Sequence, residues 1–178
     1  MNICVFCGSS DGVGTAYLEA AKELGRLMAE NGHRLIYGGA DIGLMGSIAD
    51  AVLDGGGEVT GIIPSFLFDK EIAHRKISQL MVVGSMHERK KRMAELADAF
   101  VALPGGWGTL EELAEILTWK QLHLISKPAL VLNTQGFFNS LLDFMKHSSQ
   151  EGFLQEDNLK QILVAGSPAE VLTLLQKK

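Results

Sequence analysis

Cysteine is scarce in this 178-residue chain, which holds only Cys4 and Cys7. Their C-x-x-C spacing matches redox and metal motifs, but both lie in the apolar run Ile3-Cys4-Val5-Phe6-Cys7, which reads as a buried strand. Residues three apart on a strand point to opposite faces, so the thiols cannot easily meet and read as small buried hydrophobes. None of the five histidines belongs to an H-E-x-x-H, so nothing in the sequence supports a metal site. No apolar run approaches the roughly 18–20 residues of a membrane span. Ile3–Cys7 is too short for a signal-peptide core and lacks a small-residue cleavage site behind it, so the expected location is the cytosol, with no membrane partner. Basic residues are in deficit too: sixteen Lys+Arg against twenty-one Asp+Glu leave a net charge of −5. That balance argues against a nucleic-acid partner, although an anionic small ligand feels local donors rather than net charge. Two glycine motifs are also missing. Without G-x-x-x-x-G-K-[ST] the chain is no P-loop NTPase, and the loop after the first strand lacks the G-x-G-x-x-G of a dinucleotide fold.

What is present is an alternation of short apolar runs and longer helical patterns. Strands are expected at 2–7, 33–37, 58–63, 79–83, 99–103, 128–132 and, more weakly, 161–165. Helices are expected at about 15–30, 43–54, 86–97, 108–121, 136–147 and 168–177. Strands apolar on both faces, each followed by a helix, imply a parallel sheet covered on both sides. The expectation is an α/β, Rossmann-like three-layer sandwich with about seven strands, formed by residues 1–178 as a single domain, since no long linker or low-complexity tract interrupts them.

Ligands of open parallel sheets bind beyond the carboxyl ends of the strands. Three glycine-rich segments fall at such ends: Gly8–Gly12, Gly38–Gly46 and Gly105–Gly108. Their residues Gly8, Ser9, Gly39 and Met45 are therefore candidate contacts. In Pro104-Gly105-Gly106-Trp107-Gly108-Thr109-Leu110-Glu111-Glu112 the glycines let the backbone approach a ligand closely. The following helix start offers unpaired amides suited to phosphate. A purely structural reading competes: Thr109-x-x-Glu112 is a capping box, and glutamates 111, 112 and 115 suit the helix dipole.

In Ser85-Met86-His87-Glu88-Arg89-Lys90-Lys91-Arg92-Met93, Ser85 and Glu88 form a second capping box, and Lys91 and Arg92 read as a solvated face. Arg89 and Lys90 fall instead on the apolar stripe of Met86, Met93 and Ala97. Cations on an inward face need a partner charge or a ligand; an anionic ligand and a buried pair with Glu71 or Glu112 both explain them. The stretch 63–71 reads as a loop or short helix able to cover a pocket. Met45 and Trp107 suit packing, and Trp107 in its glycine loop could stack on a base. His33, His123 and His147 look structural or exposed, and Ser167–Glu170 is a third capping box.

With these residues assembled, the chain resembles the lonely-guy (LOG) family of phosphoribohydrolases, often mislabelled as lysine decarboxylases. The family pattern P-G-G-x-G-T-x-x-E stands here as Pro104–Glu112, preceded by M-x-x-R-K as Met86–Lys90. Cys7–Ser10, Tyr37–Gly39, Gly43–Gly46 and Ile63-Pro64 also look like the family. The resemblance implies hydrolysis of a nucleoside 5′-monophosphate, best known for adenine nucleotides substituted on the exocyclic amine, to free base and ribose 5-phosphate. It implies Arg89 and Glu112 as the catalytic pair. It implies substrate contacts from Glu71, Arg89, Lys90, Gly106, Trp107, Gly108, Thr109, Leu110, Glu111, Glu112 and Thr118. It also implies a homodimer, with no cofactor. The decarboxylase label has little physical support, because that chemistry usually borrows pyridoxal phosphate on a lysine, and no lysine here sits in a convincing cofactor pocket. The alternative from another class is a non-catalytic carrier of a nucleotide or of molybdenum cofactor, which needs no paired Arg and Glu.

Overall fold

The computed structural model describes residues 1–68 and 72–176. The apolar runs form seven strands, β1 Asn2–Phe6, β2 Arg34–Tyr37, β3 Val59–Pro64, β4 Gln79–Val83, β5 Ala99–Ala102, β6 Ala129–Leu132 and β7 Ile162–Ala165. All pair in parallel, in the order β4-β3-β2-β1-β5-β6-β7. Between them lie α1 Ala16–Glu30, α2 Gly43–Asp54, α3 Ser65–Phe68, α4 Met86–Leu96, α5 Trp107–Gln121, α6 Asn139–Gln150, α7 Glu156–Leu159 and α8 Pro168–Gln176.

Strand alternation divides the core into two layers. Ile3, Val5 and Cys7 face one layer with Leu24 and Met28 of α1, Ile48 and Val52 of α2, and Val171 and Leu175 of α8. Cys4 and Phe6 face the other with Met93 of α4 and Leu113 and Ile116 of α5. The fold is the expected three-layer sandwich. The two thiols are free, buried and on opposite faces of the sheet, and burial pushes both thiol pKa values up. Among the described residues no helix is long and apolar enough to cross a membrane.

Two elements depart from the sequence reading. The helix expected from residue 136 begins only at Asn139, because Thr134–Gly136 forms a 3-10 turn with Gln135 and Gly136 at positive φ. Asn133 holds that entry, accepting from the Phe138 amide at 2.8 Å and donating to Asn139 Oδ1 at 2.8 Å. The four-residue α7 was not expected; at one turn it is too short to show helical periodicity.

The topology sets the site. From β1 the chain steps outward through β2, β3 and β4, then returns to lay β5 on the other side of β1, pairing Phe6 with Ala102. Strand order reverses between β1 and β5, and the crevice outside their carboxyl ends is where such sheets bind ligands.

Candidate active site

Past the strand ends, the β1 and β5 connections stay side by side. Leu103 donates its amide to Phe6 O at 2.8 Å, and Gly8 donates to Pro104 O at 3.0 Å. A Cβ on Gly105 would stand 2.1 Å from Thr109 Oγ1 and 2.9 Å from the Gly8 nitrogen, so only glycine allows this approach.

The capping box read from Thr109 and Glu112 is not formed. Gly106 is the N-cap, no side chain caps the helix, and α5 starts at Trp107. The glycine turn brings the chain into the helix three residues before a Thr109 cap would, and Thr109 Oγ1 abuts Gly105 instead. Two consequences follow. Leu110 is the first residue to bond back, to Gly106 O at 3.1 Å. The amides of Trp107, Gly108 and Thr109 are left without an acceptor among the described residues, an arrangement that suits an anion. Glu112, inside the helix, is also free of any capping duty.

The capping box of α4 is formed. Ser85 Oγ accepts from the Glu88 amide at 3.1 Å, and Glu88 reaches back to the Gly84 amide at 2.9 Å. This start fixes the rotation of α4, and the two inward cations part there. Arg89, 9% exposed, donates from Nε to Ile62 O at 3.1 Å and lies 3.7 Å from Glu112 Oε1 through Nη1. Its guanidinium fills the space above Gly38, where a Cβ would come within 1.9 Å of Nη2. Lys90 turns the other way and pairs with Glu111 and, at 3.3 Å, with Glu115. There it lines a separate groove of about 760 Å³ between α4 and α5, with Trp119 and Leu124.

The cleft itself encloses about 340 Å³, toward the small end of ligand sites. Of the candidate residues, Gly8, Ser9, Met45, Arg89, Gly106, Trp107, Gly108, Thr109 and Glu112 line it. Gly39 lies between two lining residues, Gly38 and Ala40. Lys90, Leu110 and Glu111 are outside the lining. Thr118 is exposed on α5, with its hydroxyl donating to Ala114 O at 2.8 Å. Glu71 lies outside the described residues. Ile63 and Leu67, from the stretch expected to cover a pocket, form an apolar flank of the cleft with Ile42 and Ile72; sequence reasoning missed the last two, which carry no chemical signal singly. Among the described residues no lysine lines the cleft, so none is placed there for a Schiff base.

Electrostatically, Glu112 is the unusual group. It is 8% exposed, and burial pushes its carboxyl up to about 7 against the pull of Arg89; Glu111 and Glu115 add to the rise and Lys90 opposes it. At 3.7 Å the Arg89 contact is an ion pair beyond hydrogen-bond reach, which leaves the carboxylate oxygens available. A carboxyl titrating near neutrality can exchange a proton with a bound molecule at physiological pH. Cys7, in the cleft wall, stays a neutral thiol because burial disfavours its anion, so it is a poor nucleophile.

A family model described as "Possible lysine decarboxylase" matches residues 45–175. A protein of Oryza sativa subsp. japonica named cytokinin riboside 5′-monophosphate phosphoribohydrolase LOG is 46% identical over 98% of this chain and 72% of its own length. An Arabidopsis thaliana protein of the same enzyme name is 46% identical over 98% of this chain and 82% of its own. Among solved structures, the molybdenum cofactor binding protein of Rippkaea orientalis superposes with a TM-score of 0.74 at 24% identity, covering 98% of this chain and 94% of that one; this likeness shows the shared fold. With the P-G-G-x-G-T-x-x-E loop and the Arg89–Glu112 pair meeting at the sheet's switch point, and 46% identity to the plant enzymes over 98% of this chain, the chain belongs to the lonely-guy family.

Proposed function

We propose that the protein is a phosphoribohydrolase that splits the N-glycosidic bond of an adenosine 5′-monophosphate, substituted or not on N6, into free base and ribose 5-phosphate. The observation that carries this is the buried Arg89–Glu112 pair, set just beyond three open helix amides. Glu112 follows Thr109 by three residues, about 4.5 Å along a helix axis. A 5′-phosphate on the amides of residues 107–109 therefore puts the sugar beside the carboxylate. The bond breaks through an oxocarbenium-like sugar, as in other glycoside hydrolysis. Water supplies a hydroxyl to the anomeric carbon, and the base departs with a proton. Glu112 as carboxylate stabilises the cation or takes the water's proton. Arg89 orients that carboxylate and offers the remaining charge to the sugar phosphate. Gly8, Ser9, Met45 and Trp107 line the rest of the substrate's path.

Holding the phosphate spends remote binding energy on positioning the reacting bond. Adenosine, which lacks the phosphate, is expected to be cleaved with a kcat/KM at least tenfold to a hundredfold below that of AMP, measured by chromatography of released adenine. Equal kcat/KM for the two would remove the helix terminus from the mechanism.

The same proposal includes a homodimer. Trp107 is 87% exposed at the cleft mouth, Leu122 and Leu124 are exposed beyond α5, and Thr118 on α5 faces solvent. If Thr118 contacts substrate as the family resemblance implies, it does so from a second copy. Sedimentation equilibrium is expected to give twice the chain mass; a monomer at micromolar concentration would oppose this. A cytosolic location completes the reading and accords with two free, unpaired thiols.

A further inference from the structure

Among the described residues the buried polar or charged ones are His74, Arg89, Thr109, Glu112 and Lys120. Three of these belong to the cleft, and Lys120 ties the end of α5 to Lys127 O at 2.7 Å. His74 has no role in the chemistry above, yet it is only 4% exposed. Its Nδ1 lies 3.3 Å from the Lys76 amide, which can only donate, so Nδ1 carries no proton. The ring proton therefore sits on Nε2, which donates to Asp50 Oδ1 of α2 at 3.0 Å.

The backbone around His74 is tied to the loop between β2 and α2. The His74 amide donates to Gly39 O at 2.8 Å, the Asp41 amide donates to Ile72 O at 3.0 Å, and Ala40 and Ala73 form an antiparallel bridge. Ala40, Ile42 and Ile72 line the cleft. One wall of the cleft is thus built from two segments about thirty residues apart in sequence, joined by a short bridge and tied to α2 by the His74–Asp50 side-chain hydrogen bond.

We propose that His74, through Asp50, is a positioning residue that holds the Ala40–Ile42 and Ile72 wall in its binding geometry. The proposal rests on the cleft being the nucleotide site. Among the described residues neither His74 nor Asp50 shares a hydrogen bond or ion pair with Arg89 or Glu112, so the clamp acts on substrate affinity rather than on bond breaking. A hydrogen bond of this kind is worth a few-fold to tenfold in an equilibrium.

The test uses the full chain and four variants, His74→Ala, Asp50→Ala, Asp50→Asn and the double alanine. His74→Ala and Asp50→Ala are each expected to raise KM for AMP about fivefold and leave kcat within about twofold. The double variant is expected to be no worse than either single one. Asp50→Asn, whose side-chain oxygen still accepts from Nε2, is expected to stay near wild type. Asp50 is largely exposed, so its variants fold whether or not His74→Ala does. Hydrogen exchange at the Asp41 and His74 amides is expected to accelerate in the alanine variants while Leu103 stays protected. An unchanged KM with unchanged exchange overturns the clamp. A loss of kcat or thermal stability without a KM change makes His74 structural only and overturns it equally. If the wild type releases no base at all, the nucleotide reading fails instead, and the exchange measurement still decides whether the clamp exists.

Discussion

Glu112→Gln is expected to abolish most of the hydrolysis and, in alkaline buffer, to stabilise the fold. The activity loss follows from removing a positioned acid–base group, typically two to four orders of magnitude in rate, read as base released from AMP. The stability gain follows from linkage. Burial raises the folded-state carboxyl from its ordinary 4.5 to about 7. Between those values the folded protein holds a proton that the unfolded chain has lost, so stability falls as pH rises through the window, and the deficit is complete above about 7. The difference corresponds to on the order of 3 kcal/mol. Glutamine does not titrate, so the variant is expected to exceed wild type by about that amount at pH 8 and to match it near pH 4.5. Urea midpoints at the two pH values check this. A variant less stable than wild type at pH 8 would mean that Glu112 supports the fold, for instance through Arg89, more than burial strains it.

Arg89→Gln is the second large effect. Arg89 is the strongest influence holding the Glu112 carboxyl down, and it is the only described residue paired with it. Its removal is expected to lower kcat/KM about a hundredfold or more, in the range of lost charge-assisted contacts. It is also expected to change the shape of the pH profile. If the ionised Glu112 is the active form, wild-type kcat/KM rises through an acid limb near pH 7. In Arg89→Gln that limb moves to higher pH, because the carboxyl has lost its counter-charge while its burial persists. A profile that keeps its limb in place while the rate falls would detach Arg89 from Glu112 and leave it a substrate contact alone.

Much of this was legible from residues alone. Runs such as Ile3–Cys7 and Ala99–Leu103 are apolar on both faces, and their alternation with helical patterns points to strands covered by helices on both sides. That pattern also puts the two thiols on opposite faces, as the fold does. Arg89 stood out as a cation on an apolar stripe, and the structure places it where that stripe meets Glu112. Lys90 shared the signal and went elsewhere, since neighbours in a helix are about 100° apart and periodicity does not say which side faces the cleft. The start of α5 was expected within one residue, but its cap was not: Thr-x-x-Glu is a true local capping signal, overridden by the glycine turn that packs Gly105 against Gly8 and Thr109. His74 was invisible for a different reason: its partner Asp50 is 24 residues away, and the burial that makes the pair matter exists only once β2, α2 and the segment before β4 are assembled.

The central claim is that this cleft breaks the bond between base and sugar and leaves the phosphate on the ribose. Incubating the protein with AMP and with an N6-substituted adenosine monophosphate, then quantifying free base and ribose 5-phosphate by chromatography, tests it most directly. Equimolar base and ribose 5-phosphate from at least one nucleotide, lost in Glu112→Gln, is the result expected. Tight binding with the nucleotide recovered intact would contradict it and make the protein a carrier on the same fold.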